Sequence, residues 1–139
     1  MKRDDFNQAV KKMVDTDSSY RENAYHFVAE AVSRTAEKIR EASPAAGRHI
    51  RGQELLEGIR RIALETFGPL TLDVLTEWGI TRTEDFGAIV FRMVDKGLLG
   101  SSSEDSPADF ADGYPFSETF YQPFILKEDE TLPELPKIK

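Results

Sequence analysis

The chain has 139 residues, of which 40% are hydrophobic and 31% are charged, a balance typical of a folded domain rather than of a disordered chain. It contains no cysteine, which excludes disulfides, a thiolate nucleophile and Cys-ligated metal sites and points to a reducing compartment. The net charge of -7 comes mainly from residues 101–139, with 9 Asp/Glu against 3 Lys/Arg, which is the opposite of the basic bias usual in nucleic-acid binders.

The first predicted element is a short amphipathic helix over residues 5–14, in which Phe6, Val10 and Val14 recur at helical spacing. The preceding residues place acids directly after a basic pair and contain no apolar stretch, so we expect no secretory signal there. Apolar runs throughout the sequence fall well short of the ~20 residues of a membrane span. These features predict a cytoplasmic protein with no membrane partner.

A long helix is predicted over residues 20–41. Ser19 and Glu22 have the spacing of a capping box, in which each side chain accepts a hydrogen bond from the other residue's free backbone N–H. Pro44 and Gly47 then predict a loop. The apolar residues of this helix fall on one stripe: Tyr20, Ala24, Phe27, Val28, Ala31, Val32 and Ile39.

Three closely connected helices are predicted next, over residues 53–67, 70–78 and 82–96. Each is followed by a glycine, the residue most often found just past a helix C-terminus. Thr81 and Glu84 have the spacing of a second capping box, at the start of the last of these helices. Apolar residues recur at helical spacing along them, which predicts that one face of each is buried.

Two residues of these helices carry packing predictions. Gly58 lies inside a helix, where it costs about 1 kcal/mol relative to alanine, and a close helix contact is the usual compensation. Trp78 stands at a helix end, and we expect it to anchor the core rather than to stack on a ligand, because large aromatic rings dominate core packing.

The composition changes after Gly100. Six of the 14 aromatic residues fall between Phe110 and Phe124, among glycine and prolines that exclude a long regular strand. We call residues 109–126 the C-terminal strap and expect short strands or an extended segment lying over the helices. Residues 127–139 contain many charges and two prolines, which predicts a frayed tail.

The order of three helices followed by an extended segment is that of a winged helix. The predicted fold is therefore mainly α, with a single five-helix domain over residues 1–126. Within it we expect a winged-helix-like helix-turn-helix core at residues 50–126 that includes a short extended or β C-terminal strap.

A winged-helix order raises the hypothesis of a DNA-binding transcriptional regulator, in which the helix over residues 82–96 enters the major groove. The N-terminal end of this helix, where bases would be read, is its acidic end, although Arg82 can reach a backbone phosphate. The charges therefore disfavour nucleic acid as a partner. The polar face of the helix contains three acids and two bases: Glu84, Asp85, Asp95, Arg92 and Lys96.

Residues 47–99 also carry a family resemblance. The segments GQELLEGIR, FGPL, VLTEWGI and DFGAIVF are similar to those of a small family of uncharacterised proteins associated with planctomycetes and verrucomicrobia. The segments YRENAYHFVAEAV and DFADGYPF extend the likeness over most of the chain. The family brings no assigned activity, cofactor or catalytic residue, so the resemblance implies a compact domain and leaves its function open.

One group of basic residues is a candidate anion site. Arg48, His49 and Arg51 stand just before a predicted helix, where free backbone N–H groups attract negative charge.

A second polar group lies on the long helix. Glu22, His26 and Glu30 follow one another at four-residue steps, and a histidine with two carboxylates is a conceivable metal or acid–base set. A solvated helix face with charge pairing is the plainer interpretation, because exposed polar stripes are the default. A metal-dependent enzyme is therefore only the third hypothesis, and the sequence contains no serine–histidine–acid or phosphate-loop pattern.

The aromatic residues of the C-terminal strap either cover the protein's own core or contact a partner. Core packing is favoured, because large exposed apolar patches are uncommon on monomers, yet the strap is still the best candidate for recognition. The leading hypothesis is a non-enzymatic adaptor or regulatory domain that binds another protein or a second copy of itself, without a cofactor. The candidate partner-binding residues are Phe110, Tyr114, Phe116, Phe120, Tyr121 and Phe124.

Overall fold

The computed structural model describes residues 3–42, 50–100 and 106–125, and in these residues the chain is mainly helical. The five predicted helices are confirmed, and their observed ends differ from the predicted ones by at most two residues. They are α1 (Arg3–Thr16), α2 (Glu22–Ala42), α3 (Gly52–Phe67), α4 (Thr71–Glu77) and α5 (Thr83–Asp95).

The apolar faces of the helices meet in one cluster of buried side chains, which reaches from Val10 in α1 to Phe120 in the strap. Helices α2 and α3 approach closely because Gly58 has no side chain. A Cβ atom at this position would lie 2.2 Å from Oγ1 of Thr35 in α2. The close helix contact predicted for Gly58 is therefore confirmed.

Trp78, at the end of α4, packs against the edge of this core. Its ring lies 5.6 Å from the ring of Phe27 and 5.5 Å from that of Phe67, measured between centroids. These three half-buried rings join α2, α3 and α4, which agrees with the predicted anchoring role of Trp78.

Helix α5 packs against both α2 and a short 3₁₀ turn, Pro107–Phe110. Gly87 permits the second contact, because a Cβ atom there would lie 2.9 Å from Cβ of Phe110. Along the whole of α5, only Asp95 is exposed, and the other residues are buried or partly buried. Five of its thirteen residues are buried and seven are partly exposed, so its neighbours cover much of the helix but not all of it.

The two predicted capping boxes differ from what the structure has. The Ser19 hydroxyl donates to the Asp17 carboxylate at 2.5 Å, in the turn before α2, so Ser19 is bonded away from the start of that helix. At α5 the carboxylate that accepts from the backbone belongs to Asp85 rather than to Glu84. Asp85 Oδ2 accepts from the N–H groups of Thr81 at 2.8 Å and Arg82 at 3.2 Å.

The C-terminal strap forms short helical turns over its described residues, where we expected an extended or β segment. After the turn at Pro107–Phe110 come a π-helical turn, Ser117–Tyr121, and a 3₁₀ turn, Gln122–Phe124. The described residues include no strand that could pair with the strap, so its backbone groups bond locally instead. The N–H of Thr119, for example, donates to the carbonyl of Pro115 at 3.1 Å.

Several predictions lie outside the described residues: the loop at Pro44 and Gly47, residue 126 at the end of the strap, and the frayed tail over 127–139. Over the ranges that the structure does describe, no helix combines the length and the apolar character that crossing a bilayer requires.

Candidate functional site

Three aromatic residues of the C-terminal strap belong to the protein's own core. Phe110, Phe116 and Phe120 are at most 6% exposed. The rings of Phe116 and Phe120 meet edge to face at 5.0 Å, and Phe116 also lies 5.7 Å from the ring of Phe86 in α5. Such pairs stabilise a fold beyond the area that they bury. These side chains fasten the strap to the helices and are not available to a partner.

Tyr114 also faces inward. Its half-buried ring meets that of Phe120 edge to face at 5.7 Å, and its hydroxyl donates to the backbone carbonyl of Leu56 in α3 at 2.9 Å. Burial raises the pKa of this phenol, so the hydroxyl stays protonated and keeps donating. The chain itself covers Phe110, Phe116 and Phe120, which speaks against partner contact through these three residues, whereas for the partly exposed Tyr114 partner contact stays a prediction.

The remaining candidates stand at the exposed end of the strap. Tyr121 is 49% exposed and Phe124 is 44% exposed, and the following residue, Ile125, is 40% exposed. We call these three residues the apolar end. A further large apolar side chain, Leu70, is 61% exposed just before α4.

Helix α4 packs against the Ser117–Tyr121 turn, which contains the first residue of the apolar end, and Leu70 lies in the 3₁₀ turn directly before α4. Ile125 and Leu70 are not among the contact residues predicted from the sequence. Their signals are weak, since Leu70 follows a Gly-Pro stop and Ile125 continues an aromatic segment that was expected to pack inward.

The two segments that contain α4 and the described strap are acidic. Residues 68–80, which contain α4, and residues 106–125, which contain the described strap, hold five carboxylates and neither lysine nor arginine. Of these carboxylates Asp73, Asp112 and Glu118 are exposed. Glu77 lies 3.5 Å from Arg21 in an exposed ion pair, and the Asp109 carboxylate accepts from the N–H of Ser106 at 3.1 Å.

The arginines of the DNA-binding hypothesis differ in their surroundings. Arg92 of α5 forms an ion pair with Asp17 at 2.9 Å, donates to the Tyr25 hydroxyl at 3.2 Å and lies 5.0 Å from the centroid of the Tyr20 ring. These contacts point its guanidinium at its own fold. Arg82, just before α5, is exposed.

Only one residue of the predicted anion site is described. Arg48 and His49 lie outside the described residues, whereas Arg51 precedes α3 and is exposed. The backbone N–H of Arg51 donates to the carboxylate of Glu54 at 3.0 Å. This N–H at the start of α3 therefore already has a negatively charged partner from the chain itself.

The polar series on α2 borders an open groove. His26 and Glu30 line this groove, of about 630 Å³, together with Phe6 of α1. The His26 ring packs edge-on against Phe6, with 5.3 Å between centroids. Within residues 3–42, 50–100 and 106–125, Glu22, His26 and Glu30 are not brought together as a group of possible metal ligands, and neither are any other three His, Cys, Asp or Glu side chains.

Comparison with known proteins adds no relative to this description. No protein-family model matches the chain, and neither a curated protein nor a solved structure matches it. The family resemblance of residues 47–99 stays a prediction.

Proposed function

We propose that this chain is a non-enzymatic protein-interaction domain, with an adaptor or regulatory role, and that the apolar end is its contact surface. One contrast carries the proposal: Phe120 is fully buried, whereas Tyr121, Phe124 and Ile125 each expose between 40% and 49% of their surface. When a partner covers exposed aromatic side chains, apolar surface is removed from water, which favours binding. Such residues often dominate the energetics of interfaces.

In this proposal α3, α4 and α5 form a winged-helix-like core in a cytoplasmic protein and serve as the scaffold of the strap. Two observations favour a scaffold over a DNA reader. Helix α5 packs against both α2 and the Pro107–Phe110 turn and has only one exposed residue, Asp95, whereas a recognition helix needs an open face to enter a groove. Arg92 is held by Asp17 and Tyr25 rather than directed outward.

The experiment compares the partners of three forms of the full chain: the wild type, the double variant Tyr121→Ser/Phe124→Ser, and the control Glu37→Ser/Glu41→Ser. The control changes two exposed residues of α2. Proteins captured from native lysate are quantified by mass spectrometry, and self-association is measured by sedimentation velocity. We expect that the double variant alone loses a protein or a second copy that the other two forms bind.

A partner set, or a dimer, that is unchanged in the double variant would remove the apolar end from the proposed function. A mobility shift of duplex DNA at low salt, abolished by Arg82→Ala, would instead favour the DNA-binding alternative, because phosphate contacts are strongest at low ionic strength.

A further inference from the structure

The apolar end and its acidic surroundings together restrict the chemistry of a partner. Glu118 is exposed and precedes Tyr121 by one turn, and Asp73 is exposed on α4, which packs against the turn that contains both. An occupant of the apolar end therefore approaches carboxylates at the same time. Opposite charge on the occupant increases its association rate and orients it on the surface, whereas like charge weakens binding.

We propose that the partner segment is basic and amphipathic: an apolar face covers Tyr121, Phe124 and Ile125, and flanking lysine or arginine side chains pair with Glu118 and Asp73. This inference rests on the proposed function and adds the charge of the partner to it. The two segments that form this surface contribute five carboxylates and no basic side chain; Glu77 pairs with Arg21, whereas Glu118 and Asp73 are exposed carboxylates beside the apolar end and on α4.

Two other occupants fit the charges less well. A second copy that docks face to face brings the same carboxylates opposite one another, because a two-fold interface is built from one patch used twice. An anionic membrane surface meets the same repulsion, since juxtamembrane binding depends on basic side chains. A basic protein segment is the occupant that avoids both penalties.

The test uses three fluorescein-labelled helical peptides of equal length. In each, leucine at helical spacing forms the apolar face, and the polar positions are all lysine, all glutamine or all glutamate. Their binding to the full chain is followed by fluorescence anisotropy. We expect the lysine peptide to bind most tightly, the glutamine peptide more weakly and the glutamate peptide weakest. The advantage of the lysine peptide should shrink as salt is raised toward 1 M, where the screening length falls to about 3 Å.

Three variants locate the binding. Tyr121→Ser/Phe124→Ser is expected to abolish binding of the lysine peptide. Glu118→Lys should weaken it roughly threefold to tenfold, the effect of losing and reversing an exposed charge pair. Glu41→Lys makes the same change of net charge at an exposed position of α2 and should leave the affinity nearly unchanged. Circular dichroism checks that each variant is folded.

The outcomes separate the two proposals. If the glutamine peptide binds as tightly as the lysine peptide, and both depend on Tyr121 and Phe124, the interaction surface stands and the basic partner is wrong. If no peptide depends on Tyr121 and Phe124, both proposals fail.

If Glu118→Lys and Glu41→Lys weaken binding of the lysine peptide equally, the effect is one of net charge, and the proposed pairing of a basic side chain with Glu118 is wrong. A dimer lost on Tyr121→Ser/Phe124→Ser, or binding to phosphatidylserine vesicles, would replace the basic segment by a second copy or by a membrane.

Discussion

The hydroxyl of Tyr20 donates to Oδ1 of Asp85 at 2.5 Å, across 65 residues of sequence. The other oxygen of the same carboxylate accepts from the backbone N–H groups of Thr81 and Arg82 at the start of α5. Burial and the bond to Asp85 raise the pKa of Tyr20, so the phenol remains a donor at neutral pH. Asp85 thus caps α5 and ties it to the turn before α2 with a single side chain.

Replacing Asp85 by alanine should therefore destabilise the fold far more than replacing its neighbour. We expect a loss of about 2 to 3 kcal/mol for Asp85→Ala, because a helix cap is removed and the Tyr20 hydroxyl loses its acceptor. Glu84→Ala, which also removes a carboxylate from the first turn of α5, should cost about 0.3 to 1 kcal/mol. Urea denaturation measures both, and equal losses would contradict the assigned cap.

Sequence pattern identified the start of α5 but not the residue that caps it. Thr81 and Glu84 match the usual spacing, and Asp85 lies only one position further. Which carboxylate turns back depends on the tertiary bond to Tyr20, and local spacing carries no information about a partner so distant in the chain. Helix number and limits were predictable because the periodicity of apolar residues is local.

The contact between Gly58 and Thr35 leads to a second prediction. Alanine at position 58 gains about 1 kcal/mol of helix propensity, yet its Cβ atom meets the Thr35 side chain, and overpacking typically costs 1 to 3 kcal/mol. The clash, at 2.2 Å from Oγ1, is severe, so Gly58→Ala should lower the free energy of unfolding.

Thr35→Ala supplies the matched control for this contact. The buried Oγ1 of Thr35 has no hydrogen-bond partner among the described residues, so its removal forfeits none of the bonds seen there and opens space for the new methyl group. In a double-mutant cycle, Gly58→Ala should be tolerated better beside Thr35→Ala than in the wild type. Additive losses would mean that the helices separate rather than clash.

The third prediction concerns acid stability. Hydrogen bonds from the Ser19 side chain and backbone, with a smaller contribution from Arg92, lower the pKa of Asp17. A carboxyl group whose pKa is lower in the folded state stabilises the fold above its unfolded pKa of about 3.9, and this contribution is lost as the pH falls through the folded value.

Asp17→Asn should therefore be less stable than the wild type at neutral pH, and the difference should shrink in acid. Urea denaturation from about pH 7 down to pH 2 measures it. Asp15→Asn, an exposed change of the same charge on α1, is the control and should follow the wild type. If the free energy of unfolding of the wild type and of Asp17→Asn falls in parallel as the pH is lowered, the bonds to Asp17 contribute nothing to stability.

The strap illustrates a different limit of sequence reasoning. Its aromatic content predicted contact with the helices, and Phe110, Phe116 and Phe120 are indeed buried. Sequence could not assign Tyr121 and Phe124 to the other side, because turns of mixed geometry have no single period that separates an inner from an outer face. The exposed part of the candidate site therefore emerged only from the folded chain.

The last prediction follows from this difference in burial between neighbouring aromatic residues. Phe120→Ala should cost about 3 to 5 kcal/mol, since it empties a fully buried site, and the strap should loosen from α4 as a result. Tyr121→Ser/Phe124→Ser should change the free energy of unfolding by about 0.5 kcal/mol or less per residue, as is usual for exposed positions. Thermal and urea denaturation compare the two, and hydrogen exchange of the Ser117–Tyr121 amides reports on the strap itself. A large loss in the double variant would mean that both rings support the fold, and the loss of a partner in that variant could then no longer be attributed to the apolar end.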